Sequence, residues 1–575
     1  MLTASIKVSY TGIELGIPVE LQRRGMVPSY CQKLRKNNSF GCSVRYLPEV
    51  MALFRNKPID YEAQYGTTLA EHLYYFEIQR RKYSDQFKHE QFEETENSSL
   101  WEHQQRGVAL ASVNSRYAFF YDTRTGKTRM AYQIMLDALK AGTASRCIVF
   151  VPSSIIPDWL SDAKAFPELK VNAYYNDTKT KHAALTHPCH ILLFSIEQAA
   201  SNAELLSKLH FDICFFDESS KLKNHKSQIS KFMREYSKNV FRFYLLSATP
   251  APNGYHEYYT QMMCVDPYIF PIARTHFVNK YFNNTSRDTK YERLKIKEEL
   301  RIEFEGLLEE YAIYVDQKVM PTAGKKFIIQ EYSLDTDTQK LYDTMCRDMS
   351  AIVNDTEITV DMAAAMRSKL QQIVSGFVIN TEVKKEIATA KFLKEEYLGT
   401  DKEIEILPVA RDARLQELAN LLEKHNDERK FIIWANYKQE FHDIATLLYQ
   451  KGYSFGILNG DTPLAEKERL VNCFKHSNDI EILICHPLSV GMGKNFTESH
   501  IAIYYSLTDS WEAFKQSSER IAGHIKVQPK QCIYYILQAR KTINTIMYDN
   551  IANKRDQSYG LLEHLKSRGI IEYDN

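Results

Sequence analysis

The residues whose types and spacing are suited to chemistry begin at Thr125-Gly126-Lys127-Thr128. This tetrapeptide follows a short apolar run, Tyr117–Tyr121, and the stretch from Met130 onward has the pattern of a helix. A strand, a tight turn and a helix start form a phosphate cradle, in which backbone N–H groups face the anion, the Lys reaches the outer phosphates and the Thr hydroxyl holds magnesium. A full loop of this type has a Gly five residues before Gly126, where this chain has Tyr121. The tetrapeptide by itself is therefore also compatible with an ordinary strand–turn–helix.

Further downstream, an acidic pair and two hydroxyl residues follow apolar runs of the same segment. Asp217-Glu218 ends the run Asp212–Phe216, where one carboxylate can hold magnesium and the other can orient and deprotonate water. Ser247 and Thr249 end the next run, where small hydroxyl residues can link a nucleotide site to the rest of its lobe. Upstream, Gln104 opens a helix, and its amide can pair with the N6 and N7 edge of adenine. Together these residues predict an ATP site.

Two segments, at about residues 96–265 and 401–575, alternate short apolar strands with amphipathic helices. The strands are continuous apolar runs, as expected of parallel sheets that are covered on both faces. The repeated βα units predict two α/β lobes. The predicted strands are Tyr117–Tyr121, Cys147–Val151, His190–Phe194, Asp212–Phe216, Phe241–Leu246, Lys430–Trp434, Ser454–Leu458, Glu481–Cys485, Ile501–Tyr505 and Cys532–Leu537.

Two other regions lack this rhythm. Residues 266–400 are charged and mostly helical in pattern, which predicts a helical insertion and a connector. Residues 1–95 are predicted to form a small N-terminal accessory domain, in which basic and aromatic residues are interleaved. Such residues can contact the backbone and bases of nucleic acid, and the alternative is a structural domain with a charged surface. They are Arg23, Arg24, Lys33, Arg35, Lys36, Arg80, Arg81 and Lys82, with Tyr30, Tyr46, Tyr74, Tyr75 and Phe76.

The composition is that of an ordinary globular protein of 575 residues, 44% hydrophobic and 25% charged. Its 73 basic and 72 acidic residues give a net charge of +1, so any attraction to nucleic acid must be local. The ten cysteines include no Cys-x-x-Cys pair, which disfavours a zinc site and fits a reducing compartment. The chain shows neither a signal-peptide pattern nor an apolar stretch of ~20 residues. We therefore expect no membrane contact and a place in the cytoplasm, on a nucleoid or in a phage-infected cell, with the nucleus as the alternative.

Eight ordered motifs resemble those of superfamily two helicases, with the spacing of the Swi/Snf-like branch in its short phage and bacterial form. The resemblance covers roughly residues 96–555 and extends to AMRSKLQQIVSGFV (Ala365–Val378) and to SLTDSWEAFKQ before the last motif. It implies two RecA-like lobes and an ATP-dependent DNA translocase or helicase. The motifs are Gln104, TGKT (Thr125–Thr128), Val151-Pro152-Ser153, DESSKLKN (Asp217–Asn224), LLSATPAPNG (Leu245–Gly254), NGDTP (Asn459–Pro463), GMGKNFT (Gly491–Thr497) and QSSERIAGH (Gln516–His524).

In the first lobe the resemblance implies a site for ATP and Mg²⁺. Lys127 would hold the phosphates, Thr128 and Asp217 would hold the metal, and Glu218 would be the catalytic base. The predicted nucleotide contacts of this lobe are Gln104, Thr125, Gly126, Lys127, Thr128 and Arg129. The residues predicted to couple hydrolysis to lobe movement are Ser247 and Thr249, and those predicted to contact DNA are Ser153 and Asn224.

In the second lobe the resemblance implies residues that act on the nucleotide from across a cleft. Gln516 and Arg520 would reach the γ-phosphate, so that transition-state charge would be stabilised only on closure. Gly493 would contribute to the nucleotide site, and Gly491 and Asn495 would face the DNA strand.

Four positions depart from the family pattern. Gly523 stands where a second Arg is expected, Val490 replaces the first Gly of a pair, and Arg124 replaces a common Gly before the TGKT run. The acidic box has Ser220 in place of a His, so the hydrogen bond that this His often makes must come from Ser220 or from elsewhere.

The sequence therefore predicts a nucleic-acid-dependent ATPase that moves along duplex, forked or branched DNA. Its task would be strand separation, fork remodelling or protein displacement, in DNA repair or replication. An RNA-directed helicase is one alternative. A second is an ATP-binding DNA clamp or regulatory scaffold that hydrolyses slowly, which Gly523 motivates. A third is a chromatin-type remodeller, which the lack of a recognisable histone-reading module or zinc cluster in the sequence disfavours.

Overall fold

A computed structural model gives the fold, and it divides the chain into two compact units between Met320 and Pro321. The described residues are 4–17, 22, 27–34, 39–54, 59–63, 67–92, 100–175, 178–284, 294–319, 321–348, 350–353, 356–359, 363–379, 406–409, 412–489, 495–508, 510–523, 525–545, 547–549 and 551.

The first unit begins with a five-stranded sheet in the order β3-β4-β2-β1-β5, antiparallel except for the β1–β5 pair. Alternate residues of β1 and β2 pack into a core of their own, which includes Ile6, Val8, Ile13 and Leu15. The strands are β1 (Ala4–Val8), β2 (Ile13–Gly16), β3 (Gln32–Lys33), β4 (Ser39–Cys42) and β5 (Ile59–Ala63), and the helices of this region are Leu47–Phe54 and Thr67–His89.

The second sheet of this unit has seven parallel strands in the order β14-β6-β11-β10-β7-β9-β8. Its inner strands are short apolar runs in which every residue is buried, because helices cover both faces. The strands are β6 (Arg116–Tyr121), β7 (Cys147–Val151), β8 (Val171–Tyr174), β9 (Ile191–Ser195), β10 (Ile213–Phe216), β11 (Arg242–Leu246) and β14 (Ala312–Val315), with a hairpin of β12 (Phe282–Asn284) and β13 (Leu294–Ile296). The α-helices are Glu102–Val113, Lys127–Lys140, Ile156–Asp162, Thr178–Thr186, Ile196–Ala199, Ala203–Ser207, Gln228–Tyr236, Tyr258–Val265, Arg274–Tyr281 and Glu298–Tyr311.

The second unit is built on a six-stranded parallel sheet in the order β15-β24-β23-β20-β22-β21. Its strands are β15 (Lys325–Tyr332), β20 (Phe431–Trp434), β21 (Phe455–Leu458), β22 (Ile482–Cys485), β23 (Ile501–Tyr504) and β24 (Cys532–Ala539). Two further antiparallel pairs are formed by β16 (Ser350–Val353) with β17 (Thr356–Thr359) and by β18 (Phe377–Ile379) with β19 (Ile406–Pro408). The helices are Thr336–Asp348, Ala363–Val374, Asp412–Lys424, Lys438–Gln450, Leu464–His476 and Trp511–Ser518.

The two parallel sheets confirm the predicted α/β fold with two RecA-like lobes. Residues 266–400, however, are not only a helical insertion and connector. They supply β14 to the edge of the first parallel sheet and β15 to the edge of the second. The division between the two units also falls inside this segment, at residue 320, rather than at the predicted bounds. Among the described residues, no helix combines the length and the apolar character that a membrane span needs.

Candidate functional site

Three turns that carry the predicted chemistry leave one edge of the first parallel sheet. The strands β6, β11 and β10 are neighbours in that order, and all three are parallel. The Lys127 loop follows β6, the Ser247–Pro250 turn follows β11, and the Asp217-Glu218 turn follows β10. Because parallel strands end at a common edge, the structure brings these three predicted turns together.

The Lys127 loop (residues 122–126) joins β6 to the helix Lys127–Lys140. Gly126 caps this helix with φ +74°, in the left-handed region, and a Cβ atom there would lie 2.0 Å from Gln104 Nε2. Position 126 therefore requires glycine for both conformation and space. Arg124 also has a positive φ of 64°. It stands where related loops commonly have glycine, so the loop carries backbone strain at this residue.

The ammonium group of Lys127 lies over the carbonyls at the end of β6. Lys127 Nζ donates hydrogen bonds to Tyr121 O at 3.0 Å and to Asp122 O at 3.1 Å. Thr125 Oγ1 donates to Asp122 O at 2.7 Å and closes the loop. In the first turn of the following helix, Thr128 is half-buried and Arg129 is exposed. A cation beside a helix N-terminus is the arrangement that binds phosphate.

Gln104, the predicted adenine contact, is buried behind this loop, at 1% exposure. Its Nε2 donates to Thr125 O at 3.1 Å and to Gly126 O at 3.2 Å, and its Oε1 accepts a hydrogen bond from Trp101 N at 3.0 Å. His103 Nε2 lies 2.8 Å from Thr125 O and supports the same carbonyl, which the sequence did not predict. Gln104 thus holds the loop in place, and contact with adenine stays a prediction.

Asp217 is the buried carboxylate of the acidic turn. Trp159 Nε1 donates to its Oδ2 at 3.0 Å, and Glu218 N donates to its Oδ1 at 2.9 Å. Burial raises the pKa of Asp217, whereas the charge of Lys127 and these two hydrogen bonds act to lower it. Lys127 and Asp217 therefore interact electrostatically. Trp159 is a supporting residue that no sequence motif indicated.

Glu218, the predicted base, adopts a backbone conformation that is uncommon for a residue with a side chain. Its φ is 53° and its ψ is 56°, in the left-handed region, at the point where β10 gives way to the short 3₁₀ helix Ser219–Leu222. A strained non-glycine residue at the end of a sheet is typical of functional turns.

Ser247 and Thr249 lie in the turn after β11, between the Lys127 loop and the acidic turn. Both are buried, and Ser247 Oγ accepts a hydrogen bond from Thr249 N at 3.2 Å. Ser219, the neighbour of Ser220, takes part in a link between this acidic turn and the turn after β11: Ser219 Oγ donates to Gln261 Oε1 at 2.6 Å, and Gln261 Nε2 donates to Pro250 O at 2.6 Å. The signal for Gln261 in the sequence is a lone amide within an otherwise apolar helix, Tyr258–Val265.

The two predicted DNA contacts of the first unit differ in their surroundings. Ser153 N and Oγ both donate to Glu197 Oε2, at 3.0 and 2.8 Å. Burial acts to raise the pKa of Glu197, but the hydrogen bonds from Ser153 and Ser195 outweigh it and lower that pKa. Ser153 could donate to a DNA phosphate only by giving up its hydrogen bonds to Glu197. Asn224 is exposed, and its Oδ1 accepts a hydrogen bond from Lys226 N at 3.0 Å.

In the second unit, Gln516 lies in the last turn of the helix Trp511–Ser518, and Arg520 follows the helix in a turn. Their exposed fractions are 7% and 8%. Arg520 lies near the end of β22, where its charge opposes the burial that raises the pKa of the Cys485 thiol. Asn495 is exposed and Gly523 is buried. The predicted positions Gly491 and Gly493, with Val490 and His524, lie outside the described residues.

Two of the predicted basic residues of the N-terminal region, Arg80 and Arg81, are engaged in ion pairs. Arg80 and Arg81 bind Glu77 Oε1 at 2.6 and 2.9 Å, and Arg81 also binds Glu49. Tyr74 and Tyr75 are exposed. Arg23, Arg24, Arg35 and Lys36 lie outside the described residues. Contact between this region and nucleic acid therefore stays a prediction.

The family of the chain follows from comparison with known proteins. Residues 68–396 match the SNF2-related domain, and residues 413–523 match the helicase conserved C-terminal domain. The chain belongs to the SNF2-related family. The first match begins inside the region predicted as N-terminal, at the helix Thr67–His89.

Individual relatives are distant. The ATP-dependent helicase fft1 of Schizosaccharomyces pombe is 22% identical in an alignment 455 positions long that covers 73% of this chain and 48% of that protein. The chromodomain-helicase-DNA-binding protein 1-like of Mus musculus is 24% identical in an alignment 423 positions long that covers 71% of this chain and 43% of that protein. The chain thus spans about half the length of these relatives. A solved structure, the Sulfolobus solfataricus SWI2/SNF2 ATPase core in complex with dsDNA, is similar with a TM-score of 0.37 and 15% identity, and covers 84% of this chain and 100% of that one.

Proposed function

We propose that this protein is a DNA-dependent ATPase that converts ATP hydrolysis into movement along double-stranded DNA. One observation carries the proposal: the adjacent parallel strands β6, β11 and β10 end in the Lys127 loop, the Ser247–Pro250 turn and the Asp217-Glu218 turn. A phosphate-binding cation, buried hydroxyls and two carboxylates therefore share one edge of a sheet. Membership in the SNF2-related family favours this arrangement as an ATP site over an ordinary strand–turn–helix.

Each predicted site residue of the first unit has a separate role in this proposed mechanism. Lys127 and the first amides of the helix Lys127–Lys140 bind phosphate oxygens and stabilise the charge that develops on them. Glu218 orients the attacking water and accepts its proton. The Thr128 hydroxyl and the Asp217 carboxylate are the oxygen donors that would hold Mg²⁺, which supplies positive charge to the phosphates when it is bound. Two N–H donors orient the Asp217 oxygens, which fits this role.

Further residues would raise the rate of ATP hydrolysis and couple hydrolysis to movement along DNA. Gln516 and Arg520 would both reach the γ-phosphate, to which Arg520 would supply a second positive charge during hydrolysis. When such a cation is available only in one conformation, the chemical step depends on a conformational step. Ser247 and Thr249 belong to the turn between the cation and the carboxylates, and we assign them to the coupling of hydrolysis with movement.

We propose that the protein moves along DNA rather than RNA. Among the relatives, one is named a helicase-DNA-binding protein and another an ATP-dependent helicase. With a net charge of +1, the chain would hold DNA through local contacts such as Asn224 and Asn495, which are both exposed. Contacts of this kind go to the phosphate backbone, so binding would be independent of sequence and would weaken with salt. A place in the cytoplasm is part of the same proposal.

A Lys127→Ala variant tests the site. We expect its DNA-stimulated ATP hydrolysis to fall by at least about 10²-fold, because the charge on the transferred phosphate loses its main cation. Steady-state hydrolysis is measured with no nucleic acid, with duplex DNA, with single-stranded DNA and with RNA. Lys140→Ala is the matched control, since Lys140 ends the same helix as an exposed residue and pairs with Glu168 at 3.3 Å, away from the loop. Unchanged hydrolysis by Lys127→Ala would refute the assignment of the site.

The same assay separates a second candidate function. Gly523 occupies the position of the second Arg in the family pattern, which favours a DNA clamp that binds ATP and hydrolyses it slowly. A wild-type protein that binds ATP but is stimulated by none of the nucleic acids would support the clamp. Stimulation by RNA alone would instead support an RNA-directed helicase.

A further inference from the structure

Gln261 is a buried side chain whose three hydrogen bonds all go to the candidate site or to its own helix region. Its Oε1 accepts from Ser219 Oγ at 2.6 Å, and its Nε2 donates to Pro250 O at 2.6 Å and to Glu257 O at 3.0 Å. The residue is fully buried, at 0% exposure. Both N–H groups of the amide are thus used, and no water competes for them, so these bonds fix its position closely.

The partners of Gln261 belong to two of the three turns at the sheet edge. Ser219 directly follows Glu218, the proposed base, and Pro250 directly follows Thr249 of the coupling turn. The amide therefore lies between the turn after β10 and the turn after β11 and bonds to both. Since Glu218 holds a strained left-handed backbone, the conformation of this turn needs support from its surroundings.

The helix that carries Gln261, Tyr258–Val265, is itself held in place by the first strand of the site. Arg116, at the start of β6, donates to the last carbonyls of this helix: Nε to Val265 O at 2.7 Å and Nη2 to Cys264 O at 2.6 Å. A cation at a helix C-terminus satisfies carbonyls that lack partners within the helix and opposes the negative end of its dipole. Gln261 thus extends from a fixed support, so that its bonds can fix the two turns.

We propose that Gln261 is a positioning residue that holds the Asp217-Glu218 turn against the Ser247–Pro250 turn in the geometry that hydrolysis requires. This inference rests on the proposed ATPase function. Ser219 and Gln261 together form a hydrogen-bonded link between the two turns. The hydrogen bonds of Gln261 go neither to the Lys127 loop nor to Glu218 itself, so its effect on hydrolysis is transmitted through Ser219 and Pro250.

The experiment is a Gln261→Leu substitution in the full chain, which retains the size of the side chain and removes all three hydrogen bonds. A displacement of positioned groups by about 1 Å can cost about 100-fold in rate, and we expect a loss of turnover of this order with duplex DNA present. The KM for ATP should stay at its wild-type value, because the Lys127 loop is untouched. A thermal melt of each variant separates this loss from a failure to fold.

Two further variants make the test specific. Thr260→Val is the matched control: Thr260 is the buried neighbour on the same helix, and its hydroxyl bonds to no polar atom of the described chain. This variant should hydrolyse ATP as the wild type does. Ser219→Ala is the milder change, since it removes only one hydrogen bond. If Ser219 and Gln261 act through that bond, the double variant should lose less than the product of the two single losses.

The outcomes distinguish this inference from the proposed function. If the wild type shows DNA-stimulated hydrolysis and Gln261→Leu matches it, the positioning role is refuted while the ATPase assignment stands. If Gln261→Leu raises the KM for ATP and leaves turnover unchanged, the residue acts on nucleotide binding and the inference is likewise refuted. If the wild type lacks hydrolysis altogether, it is the proposed function that fails.

Discussion

At the scale of single residues, Arg116 shows how far one buried side chain can organise the first unit. Besides the two carbonyls at the end of the helix Tyr258–Val265, its Nη1 donates to Val240 O at 2.7 Å. Burial lowers the pKa of Arg116 to about 10, which leaves the guanidinium charged at neutral pH. One planar cation therefore ties the start of β6, the segment before β11 and a helix end together, as the rigid fork of arginine allows.

Replacing Arg116 by Met tests this role. The three carbonyls would lose their donors inside the protein, and we expect the free energy of unfolding to fall by about 3 kcal/mol. Chemical denaturation measures the change. Lys238→Met is the control, because Lys238 is a half-exposed residue that pairs with Glu235 at 2.9 Å, and such surface pairs contribute at most about 1 kcal/mol. Equal stability of the two variants would contradict the structural account of Arg116.

The placement of the main predicted site residues at the sheet edge could be foreseen from the sequence, whereas their hydrogen-bond partners could not. Asp217 and Glu218 directly follow an apolar run, and Lys127 follows another after a short loop, so the pattern predicts that all three lie just beyond strand ends. Gln261 and Trp159 meet the acidic turn only through tertiary packing, and their distance along the chain gives no sign of it. Gln104 was predicted to contact adenine, and its hydrogen bonds to the Lys127 loop could not be foreseen from residue type.

At the scale of elements, the ten predicted strands all form, and most of their ends agree to within one or two residues. The strands of the parallel sheets that the sequence failed to indicate are β8, β14 and β15. Each of them is an edge strand. An edge strand is covered on fewer sides, so its residues need not form a continuous apolar run, and β15 has partly or fully exposed residues along most of its length. β14 is a short apolar run, but it directly follows the helix Glu298–Tyr311 in a segment predicted to be helical. A search for apolar runs therefore finds the centre of a sheet better than its edges.

The N-terminal sheet docks on the first parallel-sheet lobe through a slot that two glycines form. The ring of Tyr268 fits against them: a Cβ atom on Gly41 would lie 2.3 Å from its Cε1, and one on Gly12 would lie 2.2 Å from its Cε2. Gln32, on β3, donates from Nε2 to Tyr268 O at 3.1 Å. The contact thus depends on the absence of side chains at these two positions.

A Gly41→Ala substitution should therefore destabilise the protein by about 1–3 kcal/mol, the usual cost of an extra methyl group in a packed interior. Gly306→Ala is the control, because Gly306 lies inside the helix Glu298–Tyr311 and a Cβ there meets nothing within 4 Å. Alanine at this position should stabilise the helix by about 1 kcal/mol. Denaturant melts of both variants give the comparison, and a neutral or stabilising Gly41→Ala would show that the slot is not closed as described.

At the scale of the whole molecule, the two parallel sheets belong to separate compact units, and the N-terminal sheet belongs with the first of them. A buried polar cluster joins that sheet to its neighbour. Ser43 Oγ donates to Asp266 Oδ2, Tyr311 OH donates to the same oxygen at 2.8 Å, and the Arg45 guanidinium lies 3.4 Å from the centre of the Tyr311 ring. The sequence predicted an accessory domain at residues 1–95, and it could not reveal these contacts because their partners lie more than 200 residues away.

Deletion of residues 1–95 tests whether this region is an accessory domain or part of the first lobe. The deletion would uncover Asp266 and Tyr311, which are 4% and 6% exposed, and would remove the helix Thr67–His89. We expect the melting temperature to fall by at least about 5 °C, since a loss of several kcal/mol in a domain of this size has that effect. Hydrolysis of ATP should be lost together with the fold.

Ser43→Ala in the full chain is the milder companion variant, because it removes only the hydroxyl that bonds to Asp266. It should lower the melting temperature less than the deletion does. A truncated chain that melts and hydrolyses ATP like the full one would instead establish residues 1–95 as an independent domain.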